Sequence, residues 1–435
     1  MHKTFTMILA ATAVLTAAPI SAQPRGDEPV AVPRAIKQGV DFVYVDPQMS
    51  TVAKRRQRPQ NWLARALSLD FGGGRRNAPN PMFVELGRGL QQYQASWGRL
   101  PQTSIPAGPV LKPGSTGNRV NALRGRLGLA PGSYDQNLVQ AVTAYQTVHG
   151  LGAPDGIAGK ATIASLNRGA SYYARRIAIN MERAFRLPTN GTFDRYVVVD
   201  SGGAEAYFFN RDRVADRMRV VVGSPKTKTP MMAVLMRNAK ANPYWHVPPD
   251  LIRSLTAKRV REQGVSYLKN FHYEVLSDWS GSGRLLDPKT VNWKQVSAGK
   301  SPILVRQTPG PWNSMGAMKF EMPNDFGIYL HDTPHKELFA QNERHLSNGC
   351  VRLEDYRRFA GWVFGRMPQA DQAEQRIDLP KPVPIYLTYL TVAAGPAGVT
   401  FRPDPYGLDS LAMPQMFGGT AAVASSDPVS APLAG

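Results

Sequence analysis

The chain holds a single cysteine, Cys350, in the run Ser347-Asn348-Gly349-Cys350-Val351-Arg352, nineteen residues after His331. A thiol and an imidazole brought together can carry out nucleophilic acyl transfer. A free thiol with a pKa of about 8.5 is mostly protonated at neutral pH, so a base or cation must stand beside it to raise the thiolate fraction. A glycine immediately before the cysteine lets backbone amides come close to a bound carbonyl. The lone thiol by itself leaves two alternatives, a reactive group or a buried small hydrophobe. The segment Phe326-Gly327-Ile328-Tyr329-Leu330-His331 reads as a strand. Its alternation puts Phe326, Ile328 and Leu330 on one face and Tyr329 and His331 on the other. With the first face in a core, His331 is delivered at the strand end, beside a tyrosine, toward a cleft. The chain then turns at Thr333-Pro334 and returns with the cysteine.

These residues need a scaffold, and the chain changes character along its length. Residues 23 to about 80 are rich in Pro, Arg and Gln with weak periodicity, and read as irregular or partly disordered. Phe83, Leu86, Leu90, Tyr93 and Trp97 recur at helical spacing from Pro81 to Leu100, and a proline-rich linker follows to Pro113. A compact helical block comes next: Val120, Leu123 and Leu127, then Leu138, Val142 and Tyr145 closed by His149-Gly150, then a short helix after Asp155-Gly156-Ile157-Ala158-Gly159. From Tyr196 the pattern switches to β-rich runs, Tyr196–Asp200, Ala206–Phe209 and Met218–Gly223, with turn residues between them. Residues 235 to 300 interrupt it with a helix-like stretch around Leu251, Ile252, Leu255 and Val260, which suggests a helical insertion or flap. Strands resume near Ile303, a helix follows Glu354-Asp355, and Val383 to Thr391 forms a last strand. The stretch after Leu408 is small and polar and is expected to be disordered.

The helical block Leu111–Asn167 resembles the peptidoglycan-binding type 1 module, a three-helix domain with Tyr145-Gln146, His149-Gly150-Leu151 and Asp155-Gly156 in register. His331-Asp332-Thr333-Pro334, Phe339, Arg344 and Ser347–Arg352 resemble the signature of the YkuD-type L,D-transpeptidases. Asn242–Pro248, Arg306–Gly310, Lys319-Phe320, Pro323-Asn324 and Pro384–Thr388 are similar to its large YcbB-like branch. The resemblance covers Leu111 to about Asp409. It implies a multidomain α and β protein, with a small three-helix wall-binding domain and a mostly-β catalytic domain carrying a helical capping insertion. The expected division is a signal peptide (1–22), an N-terminal scaffold region and linker (23–110), the wall-binding domain (111–169), the catalytic domain (170–393, insertion about 235–300) and a C-terminal extension (394–435).

The resemblance also implies chemistry. Cys350 attacks the carbonyl of the third stem residue, expels the terminal D-Ala, and passes the acyl group to the side-chain amine of a neighbouring stem, giving a 3→3 cross-link. His331 matches the general base and the backbone carbonyl of Asp332 orients its ring. The amides of Gly349 and Cys350 are candidates for the oxyanion hole. Tyr329 lines the cleft; Arg352 either pairs a stem carboxylate or makes a structural ion pair; Trp245 is either a wall of the donor site or a core aromatic. The family usually has Ser-His-Gly-Cys, and here Asn348 replaces that histidine, which leaves rate and acceptor choice in question. Asparagine can still donate hydrogen bonds.

Lys3, the apolar run Phe5–Ala18 and Ile20-Ser21-Ala22 have the pattern of a cleaved export signal, which places the protein in the periplasm. No later stretch offers about twenty uninterrupted apolar residues, so an integral membrane protein is not expected. The 52 Lys and Arg against 32 Asp and Glu would suggest nucleic acid in a cytoplasmic protein. Export points instead to anionic envelope material, with peptidoglycan stems as donor and acceptor and envelope proteins as alternative acceptors. No metal or cofactor is expected: Pro334 breaks any helical face shared by His331 and His335, and no H-E-x-x-H occurs. Ser297-Ala298-Gly299-Lys300 fits a penicillin-binding S-x-x-K without its K-T-G, and Lys226–Thr229 lacks the second glycine of a P-loop and reads as a turn. The competing functions are an L,D-carboxypeptidase, attachment of envelope proteins to the wall, and a non-catalytic wall-binding scaffold.

Overall fold

The computed structural model describes residues 42–46, 49, 79–278 and 283–417. The expected signal peptide and the tail beyond Phe417 lie outside the described residues. Part of the region expected to be irregular is ordered. Strand β1 (Val43–Tyr44) pairs in parallel with residues Met232 and Ala233.

Helix α1 (Pro81–Ala95) starts where Asn80 accepts a hydrogen bond from Met82 N at 3.0 Å and Pro81 takes the first helical position. Phe83, Leu86, Leu90 and Tyr93 are buried, as their spacing predicts, but Trp97 falls in a separate 3₁₀ turn, with Gly98 following and Pro101 close behind. The helical block after the linker forms three helices, α2 (Asn118–Arg126), α3 (Gln136–His149) and α4 (Lys160–Arg168), around Val120, Leu123, Leu138, Val142 and Leu166. The Gln146 amide explains the register of the motif: it donates to Asp155 Oδ1 (2.9 Å) and Ile157 O (3.0 Å) and accepts from Gly156 N (2.9 Å), pinning the turn into α4. Helix α5 (Ala170–Phe185) was not anticipated. It packs Tyr173, Ile177, Met181 and Ala184 against α1 and the sheet that follows.

That sheet closes on itself. Strands β2 (Arg195–Asp200), β3 (Glu205–Asn210), β4 (Arg213–Gly223) and β5 (Met232–Ala241) come first. The chain then leaves for an inserted layer: β6 (Trp245–His246), a helix α6 over 249–263 with a π turn at Ile252–Thr256, α7 (Ser266–Asn270), β7 (Tyr273–Leu276), α8 (Trp293–Ser297) and β8 (Leu304–Gln307). It returns through β9 (Met318–Phe320), β10 (Leu330–His331), β11 (His345–Ser347), β12 (Val351–Leu353), helix α9 (Tyr356–Phe364) and β13 (Gln375–Thr388). The order β5-β13-β2-β3-β4-β12-β10-β9 is completed by β9 pairing β5, and β11 adds to β4. Val199, Phe208, Val220, Leu330, Val351 and Ile385 fill the interior. Phe359, Ala360 and Val363 of α9 join them, and Asp355 caps that helix by accepting from Arg358 N at 3.0 Å.

Three expectations are corrected. The insertion spans 242–317 rather than 235–300, because β5 continues to Ala241, and it is not purely helical: β6, β8 and β7 form a three-stranded sheet. Strands of two to four residues are too short for alternation to register in the sequence. The last predicted strand is longer, and a hairpin, β14 (Val392–Gly395) with β15 (Gly398–Phe401), follows it. Residues after Leu408 are not all irregular. Helix α10 (Leu408–Phe417) docks on α5, because buried Asp409 binds Arg176 at 2.9 Å and Arg183 at 2.6 Å. Those partners lie more than two hundred residues away, so no local pattern announces the helix. Among the described residues, no helix is long and apolar enough to cross a membrane.

Candidate active site

The site is assembled by strand register. β10 runs parallel to β12 with His331 opposite Arg352, and antiparallel to β9 with His331 opposite Lys319. Leu330, Val351 and Phe320 point into the barrel. The alternating residues Lys319, His331 and Arg352 therefore project from its outer face, with Tyr329 and Cys350 one step earlier on the same face. The expected six-residue strand shrinks to Leu330–His331, since Gly327 adopts φ +64° and the Asn324 side chain ties the turn by accepting from Phe326 N and donating to Ile328 O, each at 2.9 Å. The predicted facing survives: Ile328 and Leu330 are core, with Phe326 packed at its edge.

His331 is only 4 % exposed, deeper than a strand end opening on a cleft. Its Nδ1 donates to the carbonyl of Asp332 at 2.5 Å, which leaves Nε2 as the acceptor of a neutral ring. Asp332 is itself fixed, with its carboxylate taking Lys336 Nζ at 2.6 Å and Ala317 N at 2.9 Å. Burial, then the charge of Arg352, push the His331 pKa down to about 3, opposed by the carbonyls of Asp332 and Met315. Cys350 is half-buried and its thiol donates to Gly327 O at 3.5 Å. Burial pushes this thiol up, against a backbone hydrogen bond from Tyr329 and the charges of Lys319 and Arg352. In the resting protein the proton therefore sits on sulfur and the imidazole is neutral.

The oxyanion candidates differ. Gly349 takes φ +118°, where a side chain is strained, and its N–H already donates to Ser347 Oγ at 3.1 Å. The Cys350 N–H has no acceptor among the described residues. Asn348 is exposed and makes no hydrogen bond among the described residues. Arg352 has a buried Nε without a partner, and no carboxylate of the described residues pairs with it, so the structural ion pair left open by the sequence is not formed. Trp245 goes to the insertion: half-buried in β6 opposite Gln307, it packs on that layer's own core beside Tyr273 at 6.1 Å.

Two groups named in the sequence were given no role at the site. Lys319 is 7 % exposed, lies 3.8 Å above the Tyr329 ring and pairs with Glu321 at 3.1 Å. A lysine between Met318 and Phe320 on a strand was the available signal. Lys226–Thr229, which the sequence reads as a turn, belongs to a turn over 224–229 that supports the nucleophile loop. Ser224 N (2.8 Å) and Thr227 Oγ1 (2.9 Å) donate to Ser347 O, and Thr229 Oγ1 donates to Gly349 O at 2.7 Å. His335 and His345 turn elsewhere, to Glu337 and the Ser201 carbonyl, and among the described residues no group of three or more His, Cys, Asp and Glu is placed to hold a metal.

Residues 194–380 match the family model YkuD, described as "L,D-transpeptidase catalytic domain". The chain carries a YkuD-type L,D-transpeptidase domain. Residues 121–166 match the peptidoglycan-binding type 1 model, described as "Putative peptidoglycan binding domain". The YkuD match holds all eight predicted site residues, the insertion and the turn 224–229, and it ends inside β13. A "Putative L,D-transpeptidase" of Haemophilus influenzae is 28% identical over 248 residues, covering 55% of this chain and 49% of its own length; the chain thus spans about half of that relative. Among solved structures, an L,D-transpeptidase from Mycobacterium smegmatis is 15% identical with TM-score 0.24, over 45% of this chain and 58% of its own. Mycobacterium tuberculosis L,D-transpeptidase 1 is 13% identical with TM-score 0.20, over 44% and 60%.

Proposed function

We propose that this chain is an exported, cysteine-dependent peptidoglycan L,D-transpeptidase that forms 3→3 cross-links and releases D-Ala from tetrapeptide stems. The observation that carries the proposal is the single outward face shared by Tyr329, His331, Cys350 and Arg352, with the imidazole held in one tautomer by the Asp332 carbonyl. The insertion at the capping position supports placement in the YcbB-like branch.

The geometry supports the following sequence. A stem carboxylate binds the unpaired Arg352 guanidinium and offsets the charge that holds His331 neutral. The Cys350 proton passes to Nε2, and the Asp332 and Met315 carbonyls favour the protonated ring. Sulfur attacks the carbonyl of the third stem residue, and the Cys350 N–H faces the oxyanion; Gly349 N–H could join it by leaving Ser347. The C–N bond to D-Ala breaks as its nitrogen takes the proton from His331, leaving a thioester. An acceptor amine then gives a proton to His331 and attacks the thioester; the C–S bond breaks, and sulfur recovers the proton. Tyr329 walls the donor side. The wall-binding domain holds the substrate polymer near. Asn348, exposed at the rim, takes no part in proton transfer.

The test is mass analysis of muropeptides after native protein, or Cys350→Ala, acts on tetrapeptide-bearing peptidoglycan. Cysteine-dependent 3→3 dimers are expected. Tripeptides alone would mean that water takes the acyl group, as in an L,D-carboxypeptidase. No change with either protein would leave only a wall-binding scaffold.

A further inference from the structure

The segment after β15 lies beyond the end of the YkuD match at 380, yet it reaches the turn 223–229 that supports the nucleophile loop. Tyr406 is 3 % exposed, and its ring stacks on Tyr389 at 4.9 Å and meets His345 edge-on at 5.5 Å. Its backbone N–H donates to Tyr389 OH at 3.1 Å, and that hydroxyl donates to Asp404 at 2.6 Å. The Tyr406 hydroxyl donates to Gly223 O at 2.6 Å and accepts from Thr229 N at 3.3 Å, while Lys228 Nζ donates to the Tyr406 carbonyl at 2.7 Å. Both ends of the turn 223–229 are therefore clamped by one tyrosine.

The turn passes this restraint to the cysteine. Thr229 is 2 % exposed; its hydroxyl accepts from Gly223 N at 2.9 Å and donates to Gly349 O at 2.7 Å. The peptide joining Gly349 to Cys350 is planar and trans, so its C=O and N–H point in opposite directions. Fixing the Gly349 carbonyl on Thr229 therefore fixes the direction of the Cys350 N–H, which no described acceptor occupies. Gly349, at φ +118°, lacks the side chain that would otherwise restrain this peptide plane.

We infer that Thr229, held by Tyr406 from the C-terminal extension, is the positioning residue that aims the Cys350 amide at the oxyanion. This rests on the acyl-transfer reading above and adds a role for a segment outside the catalytic-domain match. It distinguishes two abilities of the cysteine. Attack on an alkyl halide needs the thiolate but no oxyanion donor; attack on a peptide carbonyl needs both.

The experiment compares native protein with Thr229→Val, Thr229→Ser and Tyr406→Phe. It measures acyl-enzyme formation from a tetrapeptide donor by intact mass, Cys350 alkylation by iodoacetamide, and Tm. Loss of one oxyanion donor typically costs about 10²–10³ in rate, so a misaimed donor in Thr229→Val should slow acylation by roughly tenfold to a hundredfold. Alkylation should stay within about twofold, because the thiol and its imidazole are untouched. Thr229→Ser should restore most of the acylation rate, and Tyr406→Phe should lose several-fold by the same split. Equal loss of acylation and alkylation, unchanged acylation in Thr229→Val, or no rescue by serine would overturn the inference. If native protein forms no acyl-enzyme, the functional reading fails first and the inference falls with it.

Discussion

Two histidines in this chain are equally buried, each 4 % exposed, and their surroundings make them different groups. His149 closes α3 at the joint between the three-helix domain, α1 and the β14–β15 hairpin. Its Nδ1 donates to Tyr145 O at 2.8 Å and its Nε2 accepts from Tyr93 OH at 3.0 Å. The ring is stacked between Tyr145 and Phe401, with Tyr173 edge-on. Both nitrogens are spent on a tight aromatic packing, so this imidazole joins domains. His331 has the same anchoring at Nδ1, yet its second nitrogen lies on a face with a thiol and two cations. Burial first, then other influences, bring both to about 3, so the titration alone does not separate them. What separates them is the company of the second nitrogen.

The largest effect should come from disabling the two rings in turn. His331→Ala should cut transpeptidation by about 10²–10⁴, the usual contribution of a positioned acid–base group. His149→Phe should leave turnover per folded molecule within a few-fold and lower stability instead. If steady-state assays on folded protein showed comparable losses for both, the contrast would collapse.

Stability sharpens it next. Tyr93→Phe strands the Nε2 of His149 without a donor and should cost about 1–3 kcal/mol in denaturant titration, with activity retained at low denaturant. A stabilised variant would show that this hydrogen bond is not what holds the joint.

Electrostatics around Cys350 gives an intermediate effect. Arg352→Met removes a positive charge that lowers the thiol pKa, so the pH midpoint of alkylation should move upward. The preference of Cys350 for iodoacetate over iodoacetamide should fall by several-fold, since the anionic reagent loses its partner. An unchanged ratio would mean that Arg352 does not receive anions.

The smallest effect is a proton count. Both histidines fall well below their ordinary value of 6.5, so the unfolded chain binds protons that the folded chain refuses. Their contribution is fully present above pH 6.5 and is lost as pH falls toward about 3. Near pH 5 in His149→Phe, proton uptake on unfolding should drop by about one. No change would place a proton on His149 in the folded state.

The legible parts of this protein share a property: their evidence is local. Helical spacing announced α1 and α2–α4, Asp355 announced α9, and the pairing of His331 with the Ser347–Arg352 run singled out the residues that now share a face. Helix α5, the three-stranded sheet of the insertion and helix α10 were missed or misjudged. The last is held by Arg176 and Arg183 acting on Asp409, and the sheet's strands are too short for a period to show.

By itself the sequence determined which groups could react, because side-chain chemistry is carried by residue type, and which face of Phe326–His331 would enter a core, because alternation is a property of the backbone. Only the tertiary structure decided that Arg352 would find no carboxylate among the described residues, that Lys319 would settle over Tyr329, and that Trp245 would belong to the insertion. It alone brought Tyr406 from the far end of the chain to the turn behind Cys350. Those outcomes depend on which distant strands become neighbours and in what register, and no short stretch of sequence contains that information.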